Sequence, residues 1–107
     1  MSPTPLTAIS PLDGRYHGKV DALRDIFSEF GLITRRVQVE LAWLKALSGC
    51  ADIAEVPVFS RESADQLDQI LAEFNETQAE AVKTIEATTN HDVKAVEYFL
   101  KEALKNN

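Results

Sequence analysis

Hydrophobic residues recur along this chain at steps of three and four rather than two, which is the spacing of amphipathic helices. In "KVDALRDIFSEFG", Val20, Leu23, Ile26, Phe27 and Phe30 share one face of a short helix, and Gly31 is expected to end it as a C′ residue. The next stretch, "LITRRVQVELAWLKALSG", carries Ile33, Val37, Leu41, Leu44 and Leu47 on one stripe. A second stripe of Val39, Trp43 and Ala46 widens the apolar face beyond what a surface helix needs, so this helix is expected to be central, with neighbours on two sides. Gly49 stops it.

"CADIAEVPVF" reads as a connector, because Pro57 holds the residue before it extended. Ser60 is the expected N-cap of a helix that turns Ala64, Leu67, Ile70, Leu71 and Phe74 inward. Asn75 followed by Gln78 has the spacing of a capping box, which starts a further helix through Val82 and Ile85. A last helix follows "TTNHD" and buries Val93, Val96, Phe99, Leu100, Ala103 and Leu104. Ahead of them all, "MSPTPLTAISPLDGRY" is broken by Pro3, Pro5 and Pro11, so residues 1–18 are expected to be an extended arm with turns. The fold class is therefore all-α, about five helices over residues 19–107 after an extended N-terminal arm. No repeat or convincing strand pattern interrupts that reading.

A chain of 107 residues fits a single domain. Its 45% hydrophobic and 26% charged residues are ordinary for a soluble globular protein and argue against disorder. The net charge of −6, spread through the helices, argues against nucleic acid or an anionic membrane as a partner. It leaves room for a small anionic ligand held by a few local cations. Cys50 is the single cysteine, so no internal disulfide forms, which fits a reducing cytoplasm. With no histidine near it in sequence, Cys50 is expected to be a structural or surface thiol rather than a nucleophile. The first residues lack the apolar run of a signal peptide, and no stretch is long enough to span a membrane.

Two polar clusters remain. In "TTNHD", Thr89 and Asp92 have the spacing of a capping box, and Asp92 in a first turn complements the helix dipole. That accounts for all of the stretch except His91. A histidine at a helix N-terminus faces the positive end of the dipole, so its ring is expected to be neutral, beside N–H groups that favour an anion. Lys94, a turn further on, adds a possible cation but reads better as part of a solvated face. In "SPLDGRYHG", a turn signature precedes Arg15 and Tyr16. Arg15 can hold a phosphate or carboxylate through its planar fork, and Tyr16 can stack on a base or donate from its hydroxyl; the alternative is an ordinary surface pair. His17 has no partner that the sequence names. The two histidines and the cysteine are too scattered for a metal site, and no Gly-rich phosphate loop or serine nucleophile elbow is present.

"SPLDGRY", "RVQVELAWLKAL" and "TTNHDVKAVEYFLKE", in that order and spacing, together resemble the N-terminal domain of the bacterial adenylosuccinate lyase family, part of the fumarase/aspartase superfamily. The likeness extends over essentially the whole chain, and the last piece is the most specific. It implies an enzyme of purine biosynthesis that cleaves adenylosuccinate to AMP and fumarate, and succinylaminoimidazole carboxamide ribotide to its carboxamide product and fumarate, by β-elimination. It implies no metal or organic cofactor, a nucleotide substrate, a cytoplasmic location, and a homotetramer whose sites combine residues of several subunits. By the same resemblance, Arg15 and Tyr16 match a pair that contacts the phosphate-bearing end of the substrate, and Asn90, His91 and Asp92 match a substrate-contacting segment.

Family members are several times longer than this chain. Their general-acid histidine, their catalytic serine and the superfamily signature loop match nothing in residues 1–107. The resemblance thus implies a substrate-binding piece of an enzyme, without catalytic residues of its own and inactive alone. The competing expectation is an independent helical interaction module that keeps the lyase scaffold.

Overall fold

The structure is a computed structural model that describes residues 1–105, so the last two positions of the helical stretch expected over 19–107 lie outside the described residues. It contains five α-helices and no strand among the described residues, which makes the fold all-α as expected. The chain divides into two compact units, Met1–Leu32 and Ile33–Asn107.

In the first unit the arm is a run of turns closed by main-chain bonds. The N–H groups of Asp13, Gly14 and Tyr16 donate to the carbonyls of Ser10, Pro11 and Pro11 at 3.1, 3.2 and 2.9 Å. A 3₁₀ turn over Asp21–Leu23 leads into the short α1, Arg24–Phe27, with Leu23, Ile26 and Phe27 left exposed. The single helix expected up to Phe30 is broken at Ser28, whose backbone is extended (φ −77°, ψ 167°). Its hydroxyl accepts the N–H of Gly31 at 3.1 Å and so caps α2, Glu29–Ser48. Gly31 is therefore not a C′ residue but lies in the first turn of α2, and its φ is not positive. What it supplies is room: a Cβ there would sit 2.6 Å from the Asp25 carbonyl oxygen and 2.7 Å from that of Ile26.

The second unit is built from α2 from Ile33 onward, α3 (Arg61–Ala72), α4 (Glu76–Thr89) and α5 (Asp92–Ala103). Ile33, Val37 and Leu41 of α2, Leu67 of α3, Ala79 and Val82 of α4, and Ala95, Val96 and Leu100 of α5 form its core. Phe74, just after α3, is buried and meets the ring of Phe99 edge-on, with centroids 5.7 Å apart and planes at 85°. The expected caps form: Ser60 accepts from the Ser63 N–H, and Asn75 and Gln78 make a reciprocal capping box. α2 ends at Ser48, one residue before Gly49. Ser48 is the one buried polar residue among the described residues, and its hydroxyl donates to the Pro57 carbonyl at 3.0 Å and accepts the Phe59 N–H at 2.7 Å. That side chain fastens the connector to the end of α2. The second stripe of α2 differs from the first, since Val39 and Trp43 are 64% and 60% exposed.

Candidate functional site

The turn that carries Arg15 and Tyr16 is fixed by the residues on either side of them. Gly14 is buried against the arm, where a Cβ would lie 2.5 Å from the Pro5 carbonyl oxygen, so no larger residue fits without moving main chain. His17 does have a partner: its Nδ1 lies 2.8 Å from the Gly14 carbonyl oxygen, which can only accept, so Nδ1 carries the proton. Arg24 closes the turn from below. It donates from Nη2 to the His17 carbonyl at 2.8 Å and from Nε to Asp21 at 2.8 Å, and pairs through Nη1 with Asp13 at 3.5 Å. The bond to Asp21 raises the Arg24 pKa above its ordinary value, so that cation is already committed. Arg15 and Tyr16 are left on the outside. The Arg15 guanidinium carbon lies 5.1 Å from the centre of the Tyr16 ring and the Lys19 ammonium 5.9 Å from it. The result is an aromatic surface with two cations beside it, suited to a planar or anionic ligand.

The second cluster is the corner between α4 and α5. Here the expected capping box of Thr89 and Asp92 does not form. α4 continues through Thr89, so Thr89 has helical backbone and cannot be an N-cap. Asn90 takes the left-handed conformation (φ 53°, ψ 28°), the single positive φ among the described non-glycine residues, and its N–H caps α4 by donating to the Glu86 carbonyl at 2.8 Å. That reversal leaves His91 extended (φ −144°, ψ 114°) as the N-cap of α5, and its Nδ1 accepts the Lys94 N–H at 3.1 Å. Thr89 serves from the other side: its hydroxyl accepts the His91 N–H at 3.2 Å and donates to the His91 carbonyl at 3.1 Å.

The cap decides the chemistry of the ring. An accepting Nδ1 bears no proton, so the cap as formed leaves the ring hydrogen on Nε2. Asp92 is the first residue of α5. Its Oδ1 accepts the Val93 N–H at 2.8 Å and its Oδ2 pairs with Arg36 Nη1, also at 2.8 Å. Arg36, and after it the Val93 N–H, hold the Asp92 carboxyl below the usual carboxylate range. Lys94 turns back on its own helix, pairing with Glu97 at 3.1 Å and lying 5.6 Å from the Tyr98 ring centre, and Glu97 raises its pKa. It belongs to the solvated face, as the sequence suggests.

Arg15 and Tyr16 thus share one turn in Met1–Leu32, while Asn90, His91 and Asp92 share one corner in Ile33–Asn107. Sequence reasoning missed Arg36 altogether, because a contact between distant helices leaves no local spacing to read. Cys50 is free and half-buried. Among the described residues no group of His, Cys, Asp and Glu is placed to hold a metal ion, and no helix is long and apolar enough to cross a membrane.

An all-α scaffold of this kind matches a family of enzymes. The family described as "Lyase" matches residues 14–107, from the glycine beneath Arg15 through the whole helical unit, and the chain belongs to that family. Within it, the chain is similar to the adenylosuccinate lyase of Haemophilus influenzae, 62% identical over 101 residues that cover 94% of this chain and 22% of the relative. It is 62% identical to adenylosuccinate lyase of Escherichia coli K12 over 97 residues, 91% of this chain and 21% of that protein. The adenylosuccinate lyase of Legionella pneumophila strain Corby is 46% identical over 107 residues, all of this chain and 24% of the relative. The chain therefore spans about a fifth to a quarter of the length of these curated relatives.

Proposed function

We propose that these residues are the N-terminal substrate-binding domain of an adenylosuccinate lyase, an enzyme that releases fumarate from adenylosuccinate to leave AMP, and from succinylaminoimidazole carboxamide ribotide to leave its carboxamide. The observation that carries this reading is the 62% identity to enzymes of that name over nearly the whole chain, with both polar clusters inside the matched stretch. In the elimination, a base removes the proton beside a carboxylate, the carbon–nitrogen bond breaks, and an acid protonates the departing nitrogen. Arg15 engages the phosphate through its fork, and Tyr16 lies against the nucleotide. Asn90, His91 and Asp92 contact the substrate at the head of α5, where His91 presents the Nε2–H as a donor. The complete enzyme is a cytoplasmic homotetramer of purine biosynthesis that uses no cofactor.

On this reading the proton-transfer groups come from outside residues 1–107. The isolated 107-residue chain is then expected to release no fumarate from adenylosuccinate, followed by absorbance. Turnover within a few orders of magnitude of about 10 per second would overturn that assignment of its chemistry.

The binding role is tested on an adenylosuccinate lyase that carries this sequence. Arg15→Ala removes a charge-assisted contact of about 1.5–3 kcal/mol and is expected to lower kcat/KM by about one to two orders of magnitude. Arg15→Lys recovers only part of it, since a point charge does not reproduce the fork. Unchanged KM and kcat in Arg15→Ala would remove Arg15 from the site.

A further inference from the structure

Histidine is a weak choice for an N-cap, and the residue after it is one of the best. Asp, Asn and Ser lead the N-cap ranking because a short side-chain oxygen reaches the N2 or N3 N–H with little strain. With Asp92 directly after His91, the corner has a competing arrangement, one residue further along, in which the Asp92 carboxylate caps α5 and His91 is released. The structure holds the other arrangement: Asp92 lies at the first helical position and His91 Nδ1 is the cap.

What separates the two is Arg36. It stands on α2 between the buried Ile33 and Val37, and its own side chain is 28% exposed. From there it reaches over the cleft it lines with Val39, Val93 and Val96, and binds Asp92 Oδ2 at 2.8 Å. Held by a guanidinium on a different helix, this carboxylate reaches only the adjacent Val93 N–H of α5 and not the N–H groups two and three residues on that a cap at Asp92 would engage. Thr89 clamps the main chain of His91 from the α4 side, and Asn90 between them takes the left-handed conformation that ends α4 and that asparagine tolerates.

We infer that Arg36 is a positioning residue: by engaging Asp92 it keeps that carboxylate out of the cap, so that His91 caps α5 through Nδ1 and presents a single Nε2–H tautomer to the ligand. The inference rests on the proposed substrate-contacting role of His91 only for its consequence in catalysis. The coupling of Arg36 to the His91 ring stands on geometry alone.

Nitrogen-15 NMR of the His91 ring in the 107-residue chain tests it, at a pH well above the ordinary histidine pKa of about 6.5 so that the ring is neutral throughout. The unmodified chain is expected to show one tautomer, Nδ1 bare and Nε2 protonated. Arg36→Ala should convert this to a mixture, and Arg36→Lys should keep most of the single form. The double variant Arg36→Ala with Asp92→Ala removes the competing cap, so it should restore the single tautomer, and it remains informative should Arg36→Ala alone fold poorly. An Arg36→Ala ring that still shows only the Nε2–H form, or a double variant as mixed as the single one, would overturn the inference. In an adenylosuccinate lyase with this sequence, Arg36→Ala is expected to lower kcat by roughly tenfold with a smaller change in KM. A mixed ring with kcat unchanged would sustain the Arg36 coupling and overturn the substrate role of His91 instead.

Discussion

Replacing His91 by alanine in an adenylosuccinate lyase of this sequence is expected to lower kcat about a hundredfold or more, which corresponds to about 2.7 kcal/mol of lost transition-state stabilisation. The same change removes the cap of α5, since Nδ1 is the acceptor for the Lys94 N–H. It should therefore also cost about 0.5–2 kcal/mol of stability. The two losses are separable. Asn is among the best N-caps, so His91→Asn should regain most of the stability while activity stays low, because its side chain cannot present a donor where the imidazole Nε2–H stands. Thr89→Ala loses only the hydroxyl bonds to the His91 main chain and should cost less activity than either. Steady-state kinetics paired with thermal unfolding on the three variants decides the matter. A His91→Asn enzyme with near-normal kcat would mean that His91 is a cap and nothing more.

The second large effect concerns the core. Phe74 is 9% exposed and packs edge-on against Phe99, next to the Asn75 cap that begins α4. Truncating it to alanine removes a large apolar side chain and leaves a cavity that rigid helices close only in part, at a cost of about 3–5 kcal/mol. Domains of this size have about 5–15 kcal/mol of total stability, so the variant should unfold at much lower denaturant or not fold at all. Trp43→Ala is the control, since its 60% exposed ring is expected to cost within about 0.5 kcal/mol. Urea unfolding of the 107-residue chain followed by circular dichroism compares them. A Phe74→Ala loss below about 1 kcal/mol would show that the ring pair is not part of the core.

The helices that could be read in advance are those whose ends obey local rules. Ser60, the Asn75 and Gln78 pair, and Gly49 each act on residues within a turn of themselves, and each does in the structure what its spacing predicts. The two misread ends are places where several residues compete. Ser28 and Gly31 both offer a boundary, and the hydroxyl of Ser28 prevails because it satisfies the Gly31 N–H while glycine admits the carbonyls of α1. In "TTNHD", Thr89, Asn90 and Asp92 are all good caps, and the outcome depends on how far α4 runs and on what holds Asp92. Both are settled by packing between helices, which no window of sequence contains. The same holds for Arg36 with Asp92 and for Ser48 with Pro57 and Phe59. For the two clusters, periodicity reached as far as polar groups near helix starts; the roles assigned to Arg15, Tyr16, Asn90, His91 and Asp92 come from likeness to a family rather than from spacing.

Trp43 is the only tryptophan of the chain, and it stands on the uncovered stripe of α2 rather than in the core. The intrinsic fluorescence of this protein is consequently an optical probe of that outer stripe. Loss of the core changes the surroundings of an already hydrated indole little, whereas a surface laid over Val39 and Trp43 takes the indole out of water and moves its emission to the blue.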